Sequence, residues 1–195
     1  AWVTGVPEAR IHLVRNPVIT PDLETLAAAP LEHSWLDDPD VPVVIGAGGL
    51  RQQKDFATLI RALALLRRRR RVRLLLLGQG RQEARLRELT DELGLKDCVE
   101  FVGFVNNPYP WLARCSLFAL SSRWEGSPNV LTEALALGTP VVSTDCRSGP
   151  REILGGGRYG PLVPVGDSEA LASAMDQVLD APPEAASLRQ ATTEY

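Results

Sequence analysis

Two glutamates with seven residues between them, Glu125 and Glu133, lie in the segment SRWEGSPNVLTEALALG, which carries the means to hold an anion and a polyol together. Ser127 suits a helix N-cap, Pro128 the first helical position, where its missing N–H is no loss, and Gly138 the stop. A helix opening there presents free N–H groups at Asn129 and Val130, and such an end favours phosphate. Glu133 falls inside this helix with Asn129, Val130, Ala136 and Leu137 three and four positions away, so it has no local basic partner. Its carboxylate must face solvent or accept hydrogen bonds from elsewhere, and a ribose diol would serve. Glu125 precedes the helix, beside Trp124 and Gly126, where backbone can approach a ligand closely; a plain surface acid is the alternative.

A second constellation is GAGGLRQQKDF. Small residues at Gly48 and Gly49 admit a diphosphate close to the backbone, and Arg51 and Lys54 would neutralise it. As a dinucleotide fingerprint the stretch fails, because the last required small residue is Arg51, and there is no P-loop. A third glycine turn, GQGR, brings Gly78 and Gly80. The arginines from 67 to 71, followed by Arg73, fit either a solvated helix end, where cations complement the dipole, or contact with an anionic membrane or nucleic acid. Asp38-Pro39-Asp40 resembles an acid pair that holds a divalent ion in transferases of another fold, but it precedes the first regular strand.

The elements that must position these residues alternate. VPVVIGA, VRLLLLG, CVEFVGF, SLFALS and TPVVST read as strands, and DFATLIRALALLRRR, RQEARLRELTDELG, Tyr109 to Arg114 and PNVLTEALALG read as the helices between them. Continuous apolar strands suit a sheet covered on both faces, and the alternation implies right-handed βαβ units. The expected fold is α/β, a doubly wound Rossmann-like parallel sheet, with ligands beyond the carboxyl ends of its strands. IHLVR, over residues 11–15, reads as an opening strand. The Pro- and Asp-rich stretch after it reads as connector with one short helix. Residues after about Asp180 have helix-forming composition, two prolines and no clear destination.

Composition narrows the classes. A chain of 195 residues, 45% hydrophobic, holds one good core. A net charge of -3 argues against a nucleic-acid partner. Cys98, Cys115 and Cys146 are widely spaced with no CxxC pair, and His12 and His33 have no ligand-spaced companions; a reducing, cytoplasmic setting without metal is the expectation. No apolar run is long enough to span a bilayer, and no signal segment is evident at the start.

With these residues in view, the sequence resembles the retaining GT-B fold glycosyltransferases of family four, the glycosyl transferases group 1, and specifically their C-terminal donor-binding domain. The match runs from NPV after the opening strand to LVPVGD, and EGSPNVLTEA supplies the family's paired glutamates. The resemblance implies that Glu125 contacts hydroxyls of the donor sugar and Glu133 the ribose, and that Ser127, Pro128, Asn129 and Val130 hold sugar and diphosphate through their backbone. It makes Lys54 the diphosphate lysine, puts the base against Val105, and lines the crevice with Gly48, Gly49, Gly78 and Gly80. One departure matters: the family's glycine, arginine, leucine is here Gly48, Gly49, Leu50, and Arg51 is the candidate to replace the missing arginine.

The implied organisation is a connector, or the end of a missing N-terminal acceptor domain, over 1–40 and a nucleotide-sugar domain over 41–195. The implied activity is retaining transfer of a hexose or N-acetylhexosamine from a nucleoside diphosphate sugar, first a UDP sugar, to an acceptor hydroxyl. Such transfer would serve polysaccharide or lipopolysaccharide biosynthesis at the cytoplasmic face of the membrane, with no cofactor and no metal. A non-catalytic nucleotide-binding module, a sugar-nucleotide epimerase and, further off, a nicotinamide dehydrogenase are the alternatives.

Overall fold

The computed structural model describes residues 7, 10, 16–193 and 195; the strand expected over 11–15 lies outside the described residues. Six parallel strands form one sheet in the order β3-β2-β1-β4-β5-β6. They are β1 (Val43–Ala47), β2 (Arg73–Leu77), β3 (Val99–Gly103), β4 (Leu117–Leu120), β5 (Val141–Thr144) and β6 (Leu162–Val163). The helices are α1 (Leu23–Ala27), α2 (Phe56–Leu66), α3 (Glu83–Glu92), α4 (Tyr109–Arg114), α5 (Asn129–Ala136), α6 (Pro150–Ile153), α7 (Ser168–Asp180) and α8 (Ala185–Gln190).

The apolar runs explain the layering. Neighbouring residues of a strand point to opposite faces, so Val44, Leu74 and Leu76 join α2, α3 and α7 in one core, while Val43, Ile45, Leu75 and Leu77 join α4, α5 and α8 in the other. Strands with both faces covered have no place for polar alternation, and β1 and β4 are buried throughout.

Strand order reverses between β1 and β4, the junction at which an open α/β sheet leaves a crevice. Glycine closes the floor of this crevice. Gly48 N–H donates to Leu77 O at 2.9 Å, and Gly78 N–H donates to Gly103 O at 2.7 Å, so the loops after β1, β2 and β3 lie backbone against backbone. Gly78 has φ +136°, and a Cβ there would stand 2.0 Å from Gly48 O; no other residue type fits.

The segment ahead of β1 is docked on the domain. Asn107 Nδ2 donates to Leu26 O at 2.8 Å, fixing α1 against the start of α4, and Arg114 bonds Leu31 O and Asp37. Asp38 pairs with Arg73 at 2.9 Å, whose guanidinium also lies over Trp35; that is the role in which the structure places this acid.

The arginine run is largely engaged by aspartates. Arg67 pairs with Asp97 at 3.0 Å, Arg69 with Asp176 at 3.2 Å, and Arg70 with Asp176 and Asp180 at 3.3 and 2.8 Å. The last two tie the end of α2 to α7; at such exposed positions each pair contributes at most about 1 kcal/mol. The stretch after Asp180 also finds a place. It forms α8, whose Leu188 is buried and whose Ala185 packs on Gly138 below α5.

Candidate functional site

A crevice of about 460 Å³ opens at the carboxyl ends of β1, β2 and β4. Its floor is Ala47, Gly48, Gly49 and Gly78, and one wall carries Phe104, Val105 and Pro108 from the loop after β3. The other wall is the 125–133 segment, with Glu125, Ser127, Pro128, Asn129, Val130 and Glu133. Lys54 completes the lining. Two residues named from the sequence lie elsewhere. Gly80 is not in the lining; its missing side chain admits Leu50 O, which would otherwise stand 2.4 Å from a Cβ. Arg51 borders a separate cavity behind the loop, its side chain folded beside Gly49.

The chemistry at the mouth of the crevice begins with an ion pair. Lys54 Nζ lies 2.6 Å from Glu125 Oε1, and the glutamate side chain is only 6% exposed. Ser122 Oγ donates to the same oxygen at 2.6 Å, and Gln53 Nε2 reaches Oε2 at 3.5 Å. The groups around the pair are fixed as well. Ser121 Oγ donates to Lys54 O at 2.8 Å, and Thr144 Oγ1 donates to Ser122 O at 2.6 Å, so β4 and β5 both set where the pair stands. Glu125 is thus a buried, charge-paired group, which excludes the plain surface acid.

Helix α5 starts one residue later than its sequence suggests. Pro128, with ψ 78°, is the cap residue, and no side chain caps the helix, so Ser127 does not act as N-cap. The Asn129 N–H is also not free: it donates to Ser127 O at 2.9 Å. Among the described residues the Val130 N–H has no acceptor, and it is the donor that this end offers a ligand. Asn129 Oδ1 accepts from Asn16 Nδ2 at 3.2 Å, which anchors the NPV segment at the same helix end. Gly138, at φ +80°, ends the helix as its position suggests.

Glu133 does have a partner, supplied by an element distant in sequence. The Tyr109 hydroxyl, from the first residue of α4, lies near enough to its carboxylate for the two groups to influence each other's titration. Burial pushes the Glu133 carboxyl above the ordinary glutamate range, and the nearby Tyr109 hydroxyl partly offsets that. The Tyr109 hydroxyl is pushed up in turn, first by its own burial and then by the charge of Glu133. Tyr109 is therefore a site residue that local pattern did not reveal.

Cys146, buried near the Lys54–Glu125 pair, has its thiol pushed up by burial, which disfavours the thiolate. Cys98 and Cys115 are raised likewise, to about 11 and about 12. Among the described residues no three His, Cys, Asp or Glu side chains gather as a metal site. None of the described helices is long and apolar enough to cross a membrane.

Comparisons with known proteins bear on the family and the fold. The N-acetylgalactosamine-N,N'-diacetylbacillosaminyl-diphospho-undecaprenol 4-alpha-N-acetylgalactosaminyltransferase of Campylobacter jejuni is 38% identical over 159 residues, which are 82% of this chain and 42% of that one. The lipopolysaccharide core biosynthesis glycosyltransferase LpsE of Rhizobium meliloti is 39% identical over 150 residues, 76% of this chain and 43% of its own. Among solved structures, Anabaena HepE in complex with UDP superposes with a TM-score of 0.73 at 27% identity, covering 89% of this chain and 48% of that one. The chain thus spans less than half the length of these relatives. A family model described as glycosyl transferases group 1 matches residues 41–181, from the first strand to the end of α7, and the chain belongs to that family.

Proposed function

We propose that this chain binds a nucleoside diphosphate sugar, a UDP sugar first, and is the donor half of a glycosyltransferase that builds a surface or lipid-linked glycan. The observation that carries the reading is the convergence on one crevice of Lys54, Glu125, the Val130 N–H and Glu133. A cation and a backbone donor suit a diphosphate, a buried carboxylate suits a ribose diol, and the Phe104-to-Pro108 wall suits a base. Support for uridine comes from Anabaena HepE, solved with UDP and with UDP-glucose. Support for the pathway comes from the lipopolysaccharide and undecaprenol-linked relatives.

In this reading the bond from the anomeric carbon to the diphosphate breaks, and a bond to the acceptor oxygen forms on the same face, so configuration is retained. The negative charge gathering on the leaving diphosphate is the quantity to stabilise, and Lys54 and the start of α5 are in place before it develops. Glu125 orients the sugar hydroxyls. Gly49 leaves the cationic complement one arginine short of the family pattern, and Arg51 would have to swing from its present place to fill it. The transfer uses no metal ion, and the acceptor is held by a second domain on the far side of the crevice.

The test is calorimetry of the chain with UDP, GDP and ADP. UDP is expected to bind most tightly, and Glu133→Gln to weaken it about tenfold, as loss of one charged hydrogen-bonding pair would. Binding of all three with equal affinity would remove the uridine assignment. Unchanged affinity in Glu133→Gln would remove the ribose role.

A further inference from the structure

Behind the loop that carries Lys54 lies a second cavity, of about 410 Å³, between α2 and α3. Arg51, Arg61 and Arg85 border it, and among the described residues none of the three has an acidic partner. At the end of α2, by contrast, Arg67, Arg69 and Arg70 are each paired with aspartate. A fourth arginine, Arg123, enters the cavity with Nε 3.0 Å from Asp55 Oδ2. That oxygen also accepts from Thr58 Oγ1 at 2.9 Å, so the Asp55 charge is already compensated. Glu88 and Glu92 border the cavity from α3, both exposed and, among the described residues, neither within ion-pair distance of an arginine.

The backbone adds donors of the same sign. α2 begins at this cavity, and among the described residues the N–H groups of Phe56 and Ala57 have no acceptor. Asp55 at its cap is in the left-handed region, φ 46°, an uncommon state for a residue with a side chain. This turn sends Lys54 and Asp55 to opposite sides of one loop. Arg123 N–H donates to Gln53 O at 2.7 Å, and Gln53 Nε2 donates to Trp124 O at 3.1 Å. The pinned loops form a wall with Lys54 and Glu125 on the crevice side and Arg51, Asp55 and Arg123 on the other.

We infer that this cavity is a second anion site, separate from the donor crevice, that takes a phosphate or diphosphate group through Arg61, Arg85, Arg51 and the start of α2. Guanidinium forks bordering one cavity with free N–H groups match the several acceptor oxygens of such a group better than they match a single carboxylate. The group belongs to free inorganic diphosphate or to the phosphate end of an acceptor whose hydroxyl end is held by the second domain, and the two are told apart below.

The test uses inorganic diphosphate and farnesyl diphosphate as probes, titrated into the isotopically labelled chain with UDP present in excess. The Phe56 and Ala57 amide resonances report this cavity, and Val130 reports the crevice. Diphosphate is expected to move Phe56 and Ala57, and the double variant Arg61→Gln, Arg85→Gln to bind it at least about tenfold more weakly with the Val130 response to UDP intact. Both substitutions lie on exposed helix positions, and the spectrum itself shows whether the variant is folded. Farnesyl diphosphate binding as tightly as the inorganic ion assigns the site to an acceptor; binding of the inorganic ion alone assigns it to free diphosphate. Either result supports the site. Unmoved Phe56 and Ala57 amides, or a double variant that titrates like the parent, would overturn it. Failure of the donor assignment has its own signature, a Val130 resonance indifferent to UDP.

Discussion

Lys54 Nζ stands 2.6 Å from Glu125 Oε1, so the cation assigned to the donor diphosphate and the carboxylate assigned to its sugar neutralise one another across the crevice. A ligand that uses both groups must share them or part them. The pair is shielded from water, and removing one member leaves the other with fewer partners than burial requires. Ser122 and Gln53 soften that loss for Glu125, because their donors remain.

Lys54→Ala in the full-length enzyme should therefore lower kcat roughly 100- to 1,000-fold, about 3 to 4 kcal/mol, as loss of one preorganised donor at a developing anion does. Steady-state kinetics with saturating donor checks it. Turnover equal to that of the parent would take Lys54 out of the chemistry.

Glu133 should make stability and function oppose each other. Its folded-state pKa is raised by burial, so between the ordinary glutamate value and the raised one the native state binds more proton than the unfolded chain does. The Glu133 contribution to stability is complete below the ordinary glutamate pKa near 4.3 and is lost as pH rises through the raised native value. Glu133→Gln should consequently melt at a higher temperature than the parent at pH 7, with the gap closing in acid. Melting curves from pH 4 to pH 8 test this, and a gap that widens in acid would contradict the assigned direction.

Tyr109→Phe removes the hydroxyl that partly lowers the Glu133 pKa. The UDP affinity of the variant should fall off at a higher pH than that of the parent when binding is followed downward from pH 8. Superimposable pH profiles would show that Tyr109 does not act through Glu133.

Gly49→Arg should restore a cation to the crevice floor. Gly49 has no positive φ, and the nearest obstacle to a Cβ is the flexible Arg51 side chain at 3.3 Å, so an arginine can be accommodated. UDP affinity should rise about tenfold, the size of one charge-assisted contact. Calorimetry against the parent gives the answer.

Gly78→Ala should be severe. Its Cβ would meet Gly48 O at 2.0 Å with the backbone at φ +136°. Strain and clash together are expected to cost at least about 3 kcal/mol. Chemical denaturation measures that cost.

Much of this architecture was legible because it rests on local signals. Apolar runs such as VRLLLLG can be satisfied only in a sheet covered on both faces, and β2 is where that run lies. The paired glutamates were visible because helix boundaries around α5 are marked by proline and glycine, although the cap fell on Pro128 and not on Ser127. What escaped involved partners remote in sequence. Tyr109 lies 24 residues before Glu133, and nothing in NNPY says which helix its hydroxyl will face. The Lys54–Glu125 pair spans 71 residues and depends on the β1–β4 adjacency. The aim of Arg51 depends on a tight turn in which its N–H donates to Gly49 O at 2.7 Å, a detail of dihedral angles and not of residue type. The Leu171, Ala172, Met175 and Val178 face of α7 was written in the sequence at helical spacing, yet only the covered sheet gives it a destination.

The glycine floor has a consequence for how such a domain can diverge. Where Gly48 and Gly78 meet, main-chain atoms set the shape, and an alanine already fails at Gly78, so substitution has little to act on there. Variation is confined to the walls, around Phe104 and Val105 on one side and residues 125–133 on the other. Under the proposed function, specificity for one sugar or another could then drift on the walls while the proposed seat for the diphosphate stays the same, insulating the chemistry from the changes that alter what it acts upon.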